Sequence, residues 1–264
     1  MEAALEQFAR DYAGHRAAEG REYQGRTLFD LPYVTSGPFA EQWAVRARTF
    51  EAFMTRGLSP TATRLARPLT VLDLGAGNGW LSYRVACEGH RAYALDIRDD
   101  CVDGLGAAAP FVDELPNRIE CLVAPFEAIP LPTGHVDVAL FNASLHYATD
   151  LRVVLDEAQR VVRPGGTMAI LDSPFYAREA DGLAMVAEKK LGAAGQFGER
   201  AESLMALPFV EFLTRERIEQ SAPNLVWRRH RVRYPLSYEL RPLRARLLGQ
   251  RRPSRFDLWL AERP

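Results

Sequence analysis

The stretch Thr70–Trp80, TVLDLGAGNGW, constrains this chain more than any other. Val71, Leu72 and Leu74 form a short apolar run with Pro68 before it and glycines after it, which predicts a short buried strand. Gly75, Gly77 and Gly79 then alternate, and Leu81, Val85 and Ala86 recur at helical spacing. The unit is a strand, a glycine-rich turn and a helix. Glycine permits the tight turn and lets a ligand approach without a Cβ in the way. The first turn of the helix offers N–H groups that have no intrahelical partner.

The glycines alone leave the ligand open. A dinucleotide fingerprint is G-x-G-x-x-G, and its third glycine would fall on Trp80. An indole there obstructs both pyrophosphate approach and close helix–strand packing. Asp73 would repel a pyrophosphate and favour a cationic ligand. A second strand, His90–Asp96, ends in a carboxylate 21 residues after Gly75. In a doubly wound sheet that tip faces the ligand crevice, where it can accept hydrogen bonds from ribose hydroxyls. Asp96 therefore points to an adenosine-type ligand without choosing among them. Arg118–Val123 predicts a third strand and Val136–Phe141 a fourth. The loop Asn142–Tyr147 follows. Asp150–Val162 has the pattern of an amphipathic helix, Arg163-Pro-Gly-Gly166 predicts its sharp end, and Thr167–Asp172 predicts a fifth strand. A helix N-capped at Asp99 or Asp100 is expected to run to Ala108.

Taken together, Asp73-x-Gly75-x-Gly77-x-Gly79, Asp96, the fourth strand and the helix–RPGG–strand run resemble the class I methyltransferases that use S-adenosylmethionine. The resemblance covers residues 70–174. It implies a seven-stranded, mostly parallel, doubly wound sheet whose last strand is antiparallel, with Leu225–Tyr234 and Ser254–Leu260 as its final two strands. It also implies a cofactor site built from Asp73, Gly75, Ala76, Gly77, Asn78, Gly79, Asp96, Ile97, Phe126, Asn142 and Ala143. Where relatives often carry an acid for the adenine amino group this chain has Pro125, so adenine is expected to rest on backbone groups near Phe126. The loop after the fourth strand should meet the methyl acceptor. It reads Asn142-Ala-Ser-Leu rather than the Asn/Asp-Pro-Pro-Tyr/Phe run of nucleic-acid and amide N-methyltransferases. His146 and Tyr147 are the candidate catalytic residues, His146 because an ordinary imidazole titrates near neutrality, at about 6.5. Methyl transfer from a sulfonium needs no metal in principle, and no metal-ligand spacing is present.

The remainder bounds the reading. The chain has 264 residues, 47% of them hydrophobic and 25% charged, with a net charge of −1, so no global field favours nucleic acid or an anionic membrane. Three cysteines in no ligand spacing point to a reducing, cytoplasmic setting. No apolar run reaches the length of a membrane span. Residues 1–66 predict a helical cap ahead of the core at 67–264, with Trp43, Ala47, Phe50 and Met54 as one helical stripe. Residues 173–224 predict an inserted lid between strands five and six. Tyr33, Trp43, Phe175 and Tyr176 are the candidate acceptor-binding residues. The expected partner is a small-molecule acceptor, without nucleic acid, and the oligomeric state is not encoded. A non-catalytic protein that binds S-adenosylmethionine, and an NAD(P)-dependent oxidoreductase, remain as alternatives. Ten arginines lie between Arg228 and Arg255, read as a solvated face.

Overall fold

The computed structural model describes residues 2–264. Seven strands form one sheet: β1 Thr70–Leu74, β2 Arg91–Asp96, β3 Ile119–Val123, β4 Val136–Asn142, β5 Val162–Leu171, β6 Arg228–His230 and β7 Leu258–Glu262. Their spatial order is β3-β2-β1-β4-β5-β7-β6. β1 to β5 are parallel to one another, and β7 is antiparallel to both β5 and β6. This is the architecture expected from the sequence. The chain moves outward from β1 to β3, then returns to the other side of β1 with β4. That reversal opens a crevice at the carboxyl ends of β1 and β4.

Alternation along the strands divides the core between two faces. Leu72, Leu74, Phe141, Met168 and Ile170 pack on one face with Leu151, Val154, Leu155 and Ala158 of the helix Leu151–Val161. Val71, Val138, Leu140, Ala169 and Leu171 pack on the other. There they meet the helix Trp80–Cys87 and Trp43, Phe50 and Phe53 of the helix Ala40–Phe53. Each such side chain removed from water contributes on the order of 1.5–3 kcal/mol. The helix Ala40–Phe53 thus shares one core with the sheet. The first helix, Glu2–Ala18, lies instead over the crevice: its Phe8 clusters with Leu204 and Leu207.

Some local expectations are corrected. Asp99–Ala108 is not one helix: a turn leads into a 3-10 segment, Leu105–Ala108, and then the helix Ala109–Glu114. The Asp100 carboxylate accepts the N–H groups of Val102, Asp103 and Gly104, offering the backbone a local alternative to helix. Arg163–Gly166 does not separate helix from strand. The helix stops at Val161, and these residues form an irregular stretch inside β5, where the pairing with β4 shifts register. β6 is much shorter than Leu225–Tyr234 because the Val232 N–H goes to the Asp257 carboxylate rather than to a ladder. The final strand starts late because Arg255 pairs with Phe175 outside the sheet.

Residues 173–224 hold the helices Glu179–Phe197, Ala201–Leu204 and Arg215–Ser221. The segment between the last two docks on the loop after β4: the N–H groups of Val210 and Glu211 donate to the carbonyls of Ala148 and His146.

Candidate functional site

The carboxyl ends of β1 to β5 open into a cavity of about 890 Å³. On the β1–β3 side, Gly75 has φ +76°, and a Cβ there would sit 2.4 Å from Cβ of Ser144. The N–H groups of Gly75 and Ala76 both donate to the Leu95 carbonyl, at 2.7 and 3.0 Å, and pin the turn to β2. The Gly77 N–H donates to Oδ2 of Asp96 at 2.8 Å, and the Arg98 N–H to Oδ1 at 3.0 Å. Burial pushes the Asp96 carboxyl up, while Arg98 and the two N–H groups pull it down. Gly75, Ala76, Gly77, Asn78, Asp96, Ile97, Phe126, Asn142 and Ala143 all line this cavity.

Two sequence candidates stand apart from it. Gly79 does not line the cavity; it sits at φ +75° at the start of the helix Trp80–Cys87, and a Cβ there would meet Ala108 at 3.0 Å. Asp73 lies beneath the turn, only 1% exposed, accepting a hydrogen bond from Ser82 Oγ at 3.0 Å. Its position on the second strand face turns it toward the helix, away from the cavity. Its Oδ1 has no partner among the described residues. Burial pushes its pKa up to about 7. The sign of the stability effect follows. An unfolded aspartate ionises near pH 3.9, so between about pH 4 and 7 the folded chain holds the proton more tightly and stability falls as pH rises. Asp73→Asn should therefore gain on the order of 2–4 kcal/mol relative to the parent at pH 8, and much less at pH 4, in paired thermal melts.

The β5 side has different chemistry. Asp172 follows β5 with φ +50° and is 8% exposed. Thr49 Oγ1 donates to its Oδ1, while Oδ2 has no partner among the described residues. Burial pushes this carboxyl up to about 7, against the pull of Arg46. Arg46 lies 4.9 Å from the Trp43 ring and makes no ion pair among the described residues. His146 shares the cavity, and its buried Nδ1 has no partner among the described residues. Burial, helped by Lys189 and Arg46, pushes the imidazole down to about 3, so it is neutral at any physiological pH. Tyr147 bonds the hydroxyl of Tyr12 at 3.0 Å, and burial with that neighbour holds the phenol well above its ordinary value.

The first helix roofs both sides through Phe8, Tyr12 and Arg16. Arg16 Nε donates to Asp103 at 2.6 Å, and Asp103 also accepts from Asn78 of the glycine turn. Phe8 meets Phe209 edge-on with ring centroids 4.8 Å apart.

Of the candidate acceptor-binding residues, only Trp43 lines this cavity. Phe175 is in the core, stacked on Trp259 at 4.7 Å. Tyr33 is 47% exposed beside Phe50 and Arg84, outside the cavity. Tyr176 lines a separate space of about 300 Å³ together with His146, Tyr147, Lys189 and Glu211. Sequence reading passed over Asp172, although it ends an apolar strand in the same way as Asp96. It also passed over Arg46, one residue before Ala47 of the recognised stripe, and over Tyr12 and Arg16.

Residues 72–170 match the family described as "Methyltransferase domain". The malonyl-[acyl-carrier protein] O-methyltransferase of Hahella chejuensis is 28% identical over 142 residues, 51% of this chain and 49% of that protein. The tRNA 5-carboxymethoxyuridine methyltransferase of Escherichia coli K12 is 35% identical over 119 residues, 44% of this chain and 43% of that protein. The chain thus spans about half the length, or less, of these curated relatives. Among solved structures, geranyl diphosphate methyltransferase in complex with GPP and sinefungin superposes with a TM-score of 0.52 at 14% identity, covering 75% of this chain and 72% of that one. At that identity the likeness speaks for the fold.

Proposed function

Taking residues 72–170 as the class I, Rossmann-like methyltransferase domain that they match, we propose that this protein transfers a methyl group from S-adenosylmethionine to a small protic acceptor. One observation carries the reading. A single cavity is lined by the glycine turn and Asp96 on one side and by Asp172 and His146 on the other, where Oδ2 of Asp172 and Nδ1 of His146 are buried without a partner among the described residues.

The residues present suit the cofactor. Asp96 already accepts two N–H groups and is placed to take ribose hydroxyls. Phe126 and the backbone from Val123 to Glu127 offer an apolar slot for adenine. Oδ1 of Asn142, buried beside Ala143 and without a partner among the described residues, suits an ammonium donor. When bound, the sulfonium supplies an electrophilic methyl carbon. The chain has to position the nucleophile, exclude water and remove a proton. Asp172 is the better base. A carboxylate near pH 7 is matched to neutral conditions, whereas an imidazole near 3 binds a proton too weakly. Neutral His146 can still accept a hydrogen bond and orient the acceptor's O–H or N–H. Phe8, Tyr12, Leu207 and Phe209 wall the space against solvent.

Titration calorimetry with S-adenosylhomocysteine tests the cofactor assignment: saturable heat is expected, and none from NADH under the same conditions. The absence of binding by folded protein sinks the proposal. Asp96→Ala should weaken that binding by about 1–3 kcal/mol, the scale of hydrogen bonds to a charged group.

A further inference from the structure

The near-zero net charge conceals a strongly basic segment. Between Arg228 and Arg255 there are ten arginines and one acid, Glu239. Arg229, Arg231, Arg251 and Arg255 are engaged by Asp257, Glu239 or Glu188. Arg244 and Arg246 are exposed and make no ion pair among the described residues. They lie on a nearly continuous helical run, Leu236–Glu239 followed by Arg241–Leu247, joined by the Leu240 N–H donating to the Leu236 carbonyl and the Arg244 N–H to the Leu240 carbonyl.

This run has its apolar stripe on the wrong side for a globular core. Leu236, Leu240, Leu243 and Leu247 are spaced i, i+4, i+7 and i+11, which at 3.6 residues per turn puts them within roughly 60° of one another. They are 73%, 47%, 55% and 79% exposed. Tyr238 and buried Ala245, on the opposite side, face the protein. The same wheel places Arg244 and Arg246 at roughly 80° on either side of the leucines. Contiguous exposed leucines on a soluble protein mark a surface that is covered in use.

We propose that the helix Leu236–Leu247 is an interfacial anchor that lays its leucines into an anionic membrane surface. Arginines flanking an apolar stripe are the arrangement that pairs acyl-chain burial with attraction to anionic headgroups. A second copy of this chain would bring the two sets of arginines together and meet charge repulsion. A nucleic acid would leave the leucines uncovered. A fluid acyl phase takes up these exposed leucines without a preformed groove, which a protein partner would have to supply. No described helix is long and apolar enough to cross a membrane, so the contact is superficial. This proposal does not depend on the methyl-transfer reading.

The test is co-sedimentation of the whole protein with vesicles of phosphatidylcholine alone, and of phosphatidylcholine with an equal part of phosphatidylglycerol. Binding to the anionic vesicles should exceed binding to the neutral ones by roughly tenfold or more and should weaken with salt. Leu243→Asp with Leu247→Asp, and separately Arg244→Glu with Arg246→Glu, should each lower it by roughly tenfold or more. Unchanged thermal melts and far-ultraviolet circular dichroism would confirm that the variants are folded; if the leucine pair misfolds, the arginine pair decides. Equal binding to both vesicle types overturns the proposal, as does binding indifferent to both pairs. A dimer in sedimentation that Leu243→Asp dissolves would assign the face to a second copy. Heparin binding without vesicle binding would assign it to a soluble polyanion. Either result also overturns it.

Discussion

On the proposed function, Asp172→Asn is expected to lower kcat by roughly 10²–10⁴-fold, the range of a lost general base, and to leave S-adenosylhomocysteine affinity within about twofold. The parent rate should rise with pH through a limb near 7, because only the ionised carboxylate takes the acceptor's proton and burial holds its pKa at about 7. In the asparagine variant this limb should vanish. The groups bearing on the carboxyl are Arg46 and Thr49 from the helix Ala40–Phe53, and Tyr234 and Tyr238 from the segment after β6. His146 shares the cavity, but at about 3 it cannot be the source of a limb near 7. The substitution also removes a buried charge, so the variant should melt no lower than the parent above pH 7. A fall in kcat that accompanied a fall in melting temperature would point instead to a structural role. The measurement is initial rate of S-adenosylhomocysteine release against pH, with calorimetry alongside.

Gly75→Ala is the second large effect, and it acts on fold and ligand together. The backbone at +76° is a conformation that L side chains adopt reluctantly. The new Cβ would also lie 2.4 Å from Cβ of Ser144, whose hydroxyl donates to the Leu74 carbonyl and so has little freedom to retreat. Backbone strain and overpacking together cost about 2–5 kcal/mol. For a chain of this size that lowers the melting temperature by roughly 4–20 °C. Because the turn is tied to Asp96 through the Gly77 N–H, the carboxylate should shift with it, and cofactor affinity should fall beyond what Asp96→Ala alone produces. Differential scanning calorimetry and titration of the same preparation separate the two losses.

The parts of this molecule that could be read from its sequence are those whose meaning is local. A strand, a glycine turn and a helix are contiguous, so Thr70–Trp80 declares itself, and Asp96 is legible because it ends an apolar run. Asp172 carries the same signature, but its importance comes from what surrounds it. Thr49 and Arg46 arrive from a helix more than a hundred residues earlier, and only folding leaves Oδ2 without a partner among the described residues. Asp73 illustrates the converse. Its place in the motif is plain, but which way it faces depends on strand alternation against the helix Trp80–Cys87, where Ser82 receives it. Trp80 is legible as an obstacle to a dinucleotide. That it also meets Trp43 and Phe50 edge-on, wedging the helix Ala40–Phe53 against the turn, is a tertiary fact. Phe175 and Tyr33 finish away from the cavity for the same reason. An aromatic ring looks alike in sequence whether it finishes in the core, on the surface or in a pocket.

The first helix has one more consequence. It touches the side of the cavity that holds Asp96 through Arg16 on Asp103, and the side that holds His146 through Tyr12 on Tyr147. On the proposed methyl-transfer reading, with the cofactor on the Asp96 side and the acceptor on the His146 side, one helix resting on both would couple them wherever each ligand favours its seated position. A ligand that favours the seated helix on one side also relieves the other of part of the cost of ordering it, and linkage requires the benefit to be equal in both directions. The two substrates should then bind more tightly together than apart, without touching one another.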